Sequence, residues 1–202
     1  MGPYGFYVNT DNCIGCKACM TACFDRNNLE APQKFRKVWE FGGGEWTSDE
    51  SGVCTSSAFA YYVSLTCNQC DVPACVPSCP SGALVKDAQS GIVSIDREVC
   101  IGCMTCETSC PYHHPVQLAD GLAHKCTLCN DESAEGVPNP VCAKACPMRV
   151  LEFGEIAELR ATYGENAKIG ELGDETAPNV VIGSHRDASQ GGSLLNPTEI
   201  SH

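Results

Sequence analysis

Positive charge is scarce in this chain of 202 residues. Against 25 Asp and Glu there are only 13 Lys and Arg, a formal net charge of −12. Binding a phosphate backbone needs a basic face, so a nucleic-acid partner is excluded. A polybasic membrane anchor is missing for the same reason. Long apolar runs are lacking too: none approaches the roughly 18–20 residues that span a bilayer, so no direct membrane span is expected. Met1 to Thr10 shows no basic stretch leading into an apolar one, so no secretory signal is read there. Taken alone, the sequence reads as a soluble cytoplasmic protein, or as a passenger carried elsewhere by a partner. No Ser/His/Asp set, phosphate loop or dinucleotide fingerprint is visible. "GGGEW" is glycine-rich but lacks the Lys–Ser/Thr and the helix start of a phosphate loop. Aromatics make up only 7%, and the hydrophobic fraction of 43% is inflated by 17 cysteines. A core this poor needs staples or cofactors.

Cysteine is what the chain has in excess, and it is grouped. The first group is Cys13, Cys16, Cys19, Cys23. The second is Cys67, Cys70, Cys75, Cys79, followed by Pro80. The third is Cys100, Cys103, Cys106, Cys110, followed by Pro111. The fourth is Cys126, Cys129, Cys142, Cys146, followed by Pro147. Cys54 stands alone. A disulfide framework suits neither repeated tetrads nor a chain without a secretory signal. Structural zinc pairs two Cys-x-x-Cys knuckles across a long gap, which three closely spaced cysteines do not match. The run C-x2-C-x2-C-x3-C-P is that of bacterial ferredoxins, whose fourth cysteine ligates the other cluster of a pair. Groups one and three keep its spacing, with Phe24 in place of the proline in group one. Groups two and four stretch one internal gap. The fourth cysteine is expected to start a helical turn and point away from its own loop. Gly15 and Gly102 in the two "CIGC" segments let the backbone pass close to a cluster.

These groups pair in a definite way. "GALVKDAQSGIVSID" between groups two and three predicts short strands at Ala83–Lys86 and Gly91–Asp96 around a turn. Residues 67–112 therefore read as one complete ferredoxin-like unit. Groups one and four are left to each other, flanked by strand candidates at residues 5–9 and 149–153. The expected fold is α+β, with two bacterial-type 2[4Fe–4S] ferredoxin-like units, one inserted in the other. The split unit comprises 1–34 and 113–164; apart from it stand a β-hairpin insertion, 35–66, and an extended C-terminal tail, 165–202. Cross-ligation then assigns four [4Fe–4S] clusters. Cluster 1 takes Cys13, Cys16, Cys19 and Cys146. Cluster 2 takes Cys126, Cys129, Cys142 and Cys23. Cluster 3 takes Cys67, Cys70, Cys75 and Cys110. Cluster 4 takes Cys100, Cys103, Cys106 and Cys79.

In the hairpin excursion, residues 35–41 and 56–65 read as strands, with "GGGEW" and "SDESG" as loop between them. Its aromatics Phe35, Trp39, Phe41, Phe59, Tyr61 and Tyr62 are read as packing over the clusters, with a subunit contact as the alternative. Residues 155–163 predict a helix stopped by Gly164. The polar tail has one strand-like piece at 179–183. It has little reason to fold alone, and is expected to be disordered or to wrap a partner. His113 and His114 read as surface or packing residues. Lys125 and Arg149, each beside a ligand cysteine, are candidates for raising local potential or simply solvated charges. With no substrate pocket residues in view, the sequence reads as an electron relay without catalytic residues.

The segments "YGFYVNTDNCIGCKACMTAC", "FAYYVSLTCNQCDVPACVPSCPSGAL", "VCIGCMTCETSCPY", "CPMRVLEFGEIAELR" and "PNVVI…LLNPTEI" resemble, in kind and order, the four-cluster iron–sulfur subunit of dimethyl-sulfoxide-reductase-type molybdoenzymes. The resemblance covers nearly the whole chain. The tetrads are shared with relatives acting on nitrate, polysulfide, thiosulfate, tetrathionate or formate; a free polyferredoxin is the other alternative. The resemblance implies an electron-transfer subunit in anaerobic respiration. Its partners would be a molybdopterin catalytic subunit and an integral membrane, quinol-oxidising anchor subunit. Cluster 1 would face the catalytic subunit and cluster 4 the membrane. Nitrate-type relatives place an aromatic residue at the position of Cys103 and carry a 3Fe–4S cluster, so a retained Cys103 implies four 4Fe–4S clusters. The implied location is the periplasmic, outer face of the cytoplasmic membrane, reached by co-export with the catalytic subunit. The cytoplasmic face is the alternative.

Overall fold

We describe a computed structural model covering residues 2–132, 137–168 and 173–200. Its elements, in chain order, are β1 Tyr4–Asn9, α1 Ala18–Arg26, β2 Arg36–Gly43, β3 Trp46–Ser48, β4 Cys54–Ser56, β5 Phe59–Thr66, β6 Leu84–Lys86, β7 Val93–Ile95 and α2 Thr105–Thr108. They continue with β8 Val116–Gln117, β9 Ala123–His124, α3 Val141–Lys144, β10 Leu151–Glu155, α4 Ile156–Tyr163, β11 Val180–Gly183, β12 Ser193–Leu194 and α5 Pro197–Ile200. The fold is α+β, with short elements between cysteine-bearing loops.

Alternation along β1 sorts its side chains onto two faces. Tyr4, Phe6 and Val8 face the main core, together with Cys19, Cys142, Cys146 and Leu151. Tyr7 faces the other way, onto Ile156, Leu159 and Val181. Burying each such aliphatic side chain contributes about 1.5–3 kcal/mol. β1 pairs antiparallel with β10, Tyr4 opposite Glu155 through Val8 opposite Leu151. The segment before the first tetrad thus lies beside the segment after the last one. Helices α1 and α3 also pack on each other.

The described tail residues depart from expectation. β11 is the third strand of this sheet, parallel to β1 with Phe6 opposite Val180. Val180 and Ile182 join the main core, and Val181 is fully buried under α4. Composition predicts a tail that is disordered or wraps a partner, and the described residues show one strand of it paired within the same chain. Its apolar "NVVI" finds its partner in β1 of the same chain, a long-range pairing that composition does not show. Further along, β12 adds to β2, and Lys17 bridges Glu40 and Glu199 at 3.2 and 2.6 Å.

The hairpin is β2 with β5, in register from Arg36 opposite Thr66 to Gly43 opposite Phe59. Residues expected to be loop hold a second small hairpin, β3 with β4. Asp49 makes its turn, accepting from the backbone N–H of Ser51 and Val53 at 2.9 and 3.0 Å. The hairpin aromatics divide. Phe35 and Phe41 are buried, while Trp39, Phe41, Tyr61 and His185 stack in a ladder. Between groups two and three, β6 pairs with β7 as expected. Helix α4 ends at Gly164, whose φ of 88° suits glycine.

Candidate metal centres

Each cysteine loop contains a left-handed residue that bends it around its thiols. Gly15 and Gly102 have φ of 64° and 67°, and Lys17, Gln69, Met104 and Leu128 lie between 48° and 61°. Such turns aim successive backbone N–H groups into the concavity, where anionic sulfur can accept them. Lys17 and Met104 then start α1 and α2. The third cysteine of those groups, Cys19 or Cys106, sits in the first helical turn. Cys23 follows one turn on, and Cys110 lies just past α2. This corrects the expectation that the fourth cysteine starts the turn. The helix begins earlier because the left-handed residue already closes the loop.

Two cavities are lined by cysteines from distant groups. One has an empty volume of about 320 Å³ and is lined by Cys13, Cys16, Cys19 and Cys146 with Pro147. The other, of about 390 Å³, is lined by Cys67, Cys70, Cys75 and Cys110 with Pro111. Among the remaining thiols, charge on one opposes charge on its neighbours. Burial pushes the Cys23 thiol far up, and the nearby thiolates of Cys126, Cys142 and Cys129 add to this. Burial likewise raises Cys106, beside Cys100 and Cys103. Cys79 in turn acts on Cys103. Cys54 lies apart and exposed, in β4.

The surroundings of the thiols differ widely. Burial pushes Cys70 and Cys75 up to about 12. Burial likewise takes Cys126 to about 11, against a hydrogen bond from Thr66. Cys103 goes the other way, lowered by the Thr105 hydroxyl and backbone N–H. Cys79 is lowered as well, because hydrogen bonds from Ser81 and from the N–H groups of Leu84 and Ala83 outweigh burial.

These donor sets fit an iron–sulfur cube. Thiols of two groups line each of the two cavities, and backbone N–H groups reach sulfur: Leu128 N to Cys126 Sγ at 3.3 Å and Val150 N to Cys146 Sγ at 3.4 Å. Hydrogen bonds to sulfur and burial are levers on the potential of such sites. The ring of Tyr62 lies against Gly15 in the first "CIGC" loop.

Comparison with known proteins agrees. A 4Fe–4S binding domain model matches residues 6–25 and a 4Fe–4S dicluster domain model matches 58–156. The probable anaerobic dimethyl sulfoxide reductase chain YnfG of Escherichia coli (strain K12) is 43% identical over 204 residues, 98% of each protein. The B subunit of anaerobic dimethyl sulfoxide reductase from the same strain is 42% identical over 205 residues, again 98% of each. The B subunit of Haemophilus influenzae (strain ATCC 51907 / DSM 11121 / KW20 / Rd) is 41% identical, over 99% of this protein and all of that one. This protein belongs to the family of anaerobic dimethyl sulfoxide reductase B subunits. Like the family, it is a 4Fe–4S electron-transfer subunit with no active site of its own, and its sixteen grouped cysteines suit four clusters.

Within that family frame, several residues bear on the candidate sites. Lys125 is buried, and its Nζ donates to Cys126 O at 3.1 Å and Gln69 Oε1 at 3.3 Å. Arg149 is exposed, donating to Lys144 O at 2.8 Å. His113 sits at the surface on Glu107 at 2.7 Å, and His114 is buried against Tyr112. Sequence reasoning misses Arg36 and Lys37, yet both are buried. Their only signal is an adjacent Arg–Lys pair opening an aromatic strand.

Proposed function

We propose that this protein carries electrons from a quinol-oxidising membrane subunit to a molybdopterin catalytic subunit of a dimethyl sulfoxide reductase-type respiratory complex. It would sit at the outer, periplasmic face of the cytoplasmic membrane, held there through its partners. The observation that carries this reading is the convergence of thiols across groups: Cys146 on the Cys13 loop and Cys110 on the Cys67 loop. A protein put together that way links clusters in series. The split unit 1–34 with 113–164, the hairpin 35–66, the inserted unit 67–112 and the tail 165–202 follow from the same pairing. The ligand sets are Cys13, Cys16, Cys19 and Cys146; Cys126, Cys129, Cys142 and Cys23; Cys67, Cys70, Cys75 and Cys110; and Cys100, Cys103, Cys106 and Cys79.

When bound, each cluster supplies a one-electron redox site. The protein's own part is to hold, bury and insulate. Buried Cys23, Cys129 and Cys142 exclude water at the centre of the relay. Exposed apolar residues suit docking partners. Ile14 and Met148 line the cavity of the Cys13 set, which would face the catalytic subunit. Val99 and Ile101 flank Cys100 in the chain, whose set would face the membrane subunit. Among the described residues no helix is long and apolar enough to cross a membrane.

Affinity purification of the native protein, with iron and sulfide analysis, tests this reading. About 16 iron atoms per polypeptide and co-purification with two further subunits are expected. A stable partnerless monomer points to a free polyferredoxin instead. Zinc in place of iron overturns the reading outright.

A further inference from the structure

Strand alternation sends Arg36 and Lys37 to opposite faces of β2. Lys37 donates to the carbonyl of His113 at 2.9 Å. Arg36 faces the cysteines of α1 and α3. It is only 2% exposed. Its guanidinium lies 4.5 Å from the centre of the Phe6 ring. Nη1 donates to Ser64 O at 3.2 Å and to Ser64 Oγ at 3.1 Å. That hydroxyl in turn lies 3.2 Å from Cys19 Sγ. With Oγ accepting from Arg36, its own proton is directed at the sulfur. Nε and Nη2 are buried with no hydrogen-bond partner.

A buried guanidinium with unpaired donors is costly unless an opposite charge faces it. Among the described residues no carboxylate forms an ion pair with it. Burial opposes the charge, and the thiolates of Cys142, Cys19, Cys126 and Cys23 outweigh burial. Cys19 belongs to the first ligand set and the other three to the second. Its charge is thus favoured by thiols of both sets, and its Nη1 reaches the first of them through Ser64.

We propose that Arg36 is the charge compensator of these two sets, a fixed buried cation that raises the reduction potential of their two clusters. Adding one electron to a cluster of overall charge roughly −2 deepens a negative charge. A cation held nearby in a poorly screened interior stabilises the reduced form. The electron comes from the neighbouring cluster, and no proton moves, since arginine stays protonated. Arg36 is thus a positioning residue for charge, acting through space and through Ser64. The Cys79–Cys103 region has no such device: its thiols answer to hydroxyl and backbone N–H donors.

This inference rests on the ligand sets proposed above, and the test separates the two. The assembled complex is titrated electrochemically, following the clusters by electron paramagnetic resonance, with Arg36→Met, Arg36→Gln and Arg36→Lys. In Arg36→Met the reduction equilibrium of two clusters should fall at least tenfold, about 59 mV for one electron. The other two should not move, and Arg36→Lys should stay within about threefold of wild type. Unchanged potentials in Arg36→Met with full iron content overturn the proposal and leave the ligand sets standing. If both neutral variants lose clusters while Arg36→Lys keeps all four, the need for charge is upheld. Cluster loss in Arg36→Lys as well, or a shift as large as in Arg36→Met, overturns it. Fewer than four 4Fe–4S clusters in the wild type instead defeats the ligand sets.

Discussion

The neighbourhood of Cys23, Cys126 and Cys142 and that of Cys79 and Cys103 offer the same thiol chemistry in opposite settings. At the first, burial dominates: Cys23 is pushed far up and Cys126 to about 11, with the Arg36 cation set among them. At the second, Cys103 is exposed and lowered by Thr105, and Cys79 is lowered by Ser81 and nearby backbone N–H groups. Solvent and dipoles stabilise charge at one end; fixed charge and exclusion of water manage it at the other.

Cys142→Ser should break this contrast hardest. Cys142 is buried in the main core with Cys19 and Cys146. Metal binding and folding are coupled in such sites. A lost ligand there leaves an unmet buried group beside Arg36, a change of about 3–5 kcal/mol. The expected outcome is loss of more than one cluster and of the cooperative thermal transition, followed by iron content and melting. A variant that keeps a full complement of iron contradicts the assignment of Cys142.

Cys103→Ser should be milder in structure and severe in function. The exposed position tolerates the change, so three clusters should remain. The fourth should convert to a 3Fe–4S or otherwise altered species with a new paramagnetic signal. Quinol-dependent turnover of the complex should be lost, while an artificial donor feeding the catalytic subunit directly is unaffected. Unaltered spectra together with unaltered quinol turnover contradict both the ligand and the route.

This contrast is only half legible in the sequence. Groups one and three can be read because C-x2-C-x2-C puts three cysteines on one tight loop, a spacing that survives any fold around it, whereas in group four Cys142 stands thirteen positions beyond Cys129. The β6–β7 hairpin is readable for a similar reason, two β-rich runs with a turn between them. The pattern places β10 two residues early, at 149–153, since Arg149 and Val150 still belong to the cysteine loop. β11 reads as a strand but not as part of the first sheet, because its partner lies more than 170 residues away. Arg36 is invisible for a deeper reason. A charge in an aromatic strand reads as solvent-facing, and nothing local says that it is buried and tied to Cys19 of α1 through Ser64.

The two "CIGC" loops give a smaller and sharper test. A Cβ on Gly102 would run into the carbonyl oxygen of Gly121, which is backbone and has little freedom to move. A Cβ on Gly15 would lie 2.5 Å from Cε1 of Tyr62, a ring that can swing aside. Both glycines have positive φ, so both alanines carry backbone strain of about 1–3 kcal/mol. Gly102→Ala should lower the melting temperature of the holoprotein more than Gly15→Ala does. Gly15→Ala should instead expose the first cluster to oxidants as Tyr62 is displaced. Equal melting shifts would show that the crowding, unlike the strain, is relieved at both sites.

The least perturbing experiment changes no residue. In the apoprotein at neutral pH, alkylation should reach Cys103 and Cys79 well before Cys70 and Cys75, because the thiolate is the nucleophile. The pH dependence follows from the direction of each shift. Cys70 and Cys75, pushed up to about 12, remain almost wholly protonated through pH 9. Their labelling should therefore climb about a hundredfold between pH 7 and pH 9, in proportion to the thiolate fraction. Cys103 lies below its ordinary value of 9.0, so its labelling should climb less steeply than theirs over the same window. Cys54, exposed and outside every tetrad, serves as the reference thiol and should label in holo and apo forms alike. Mass spectrometry of the labelled peptides separates these sites. Parallel pH curves for Cys70 and Cys103 would mean that burial and hydrogen bonding do not distinguish the two ends before metal arrives. The contrast would then belong to the clusters and not to the polypeptide.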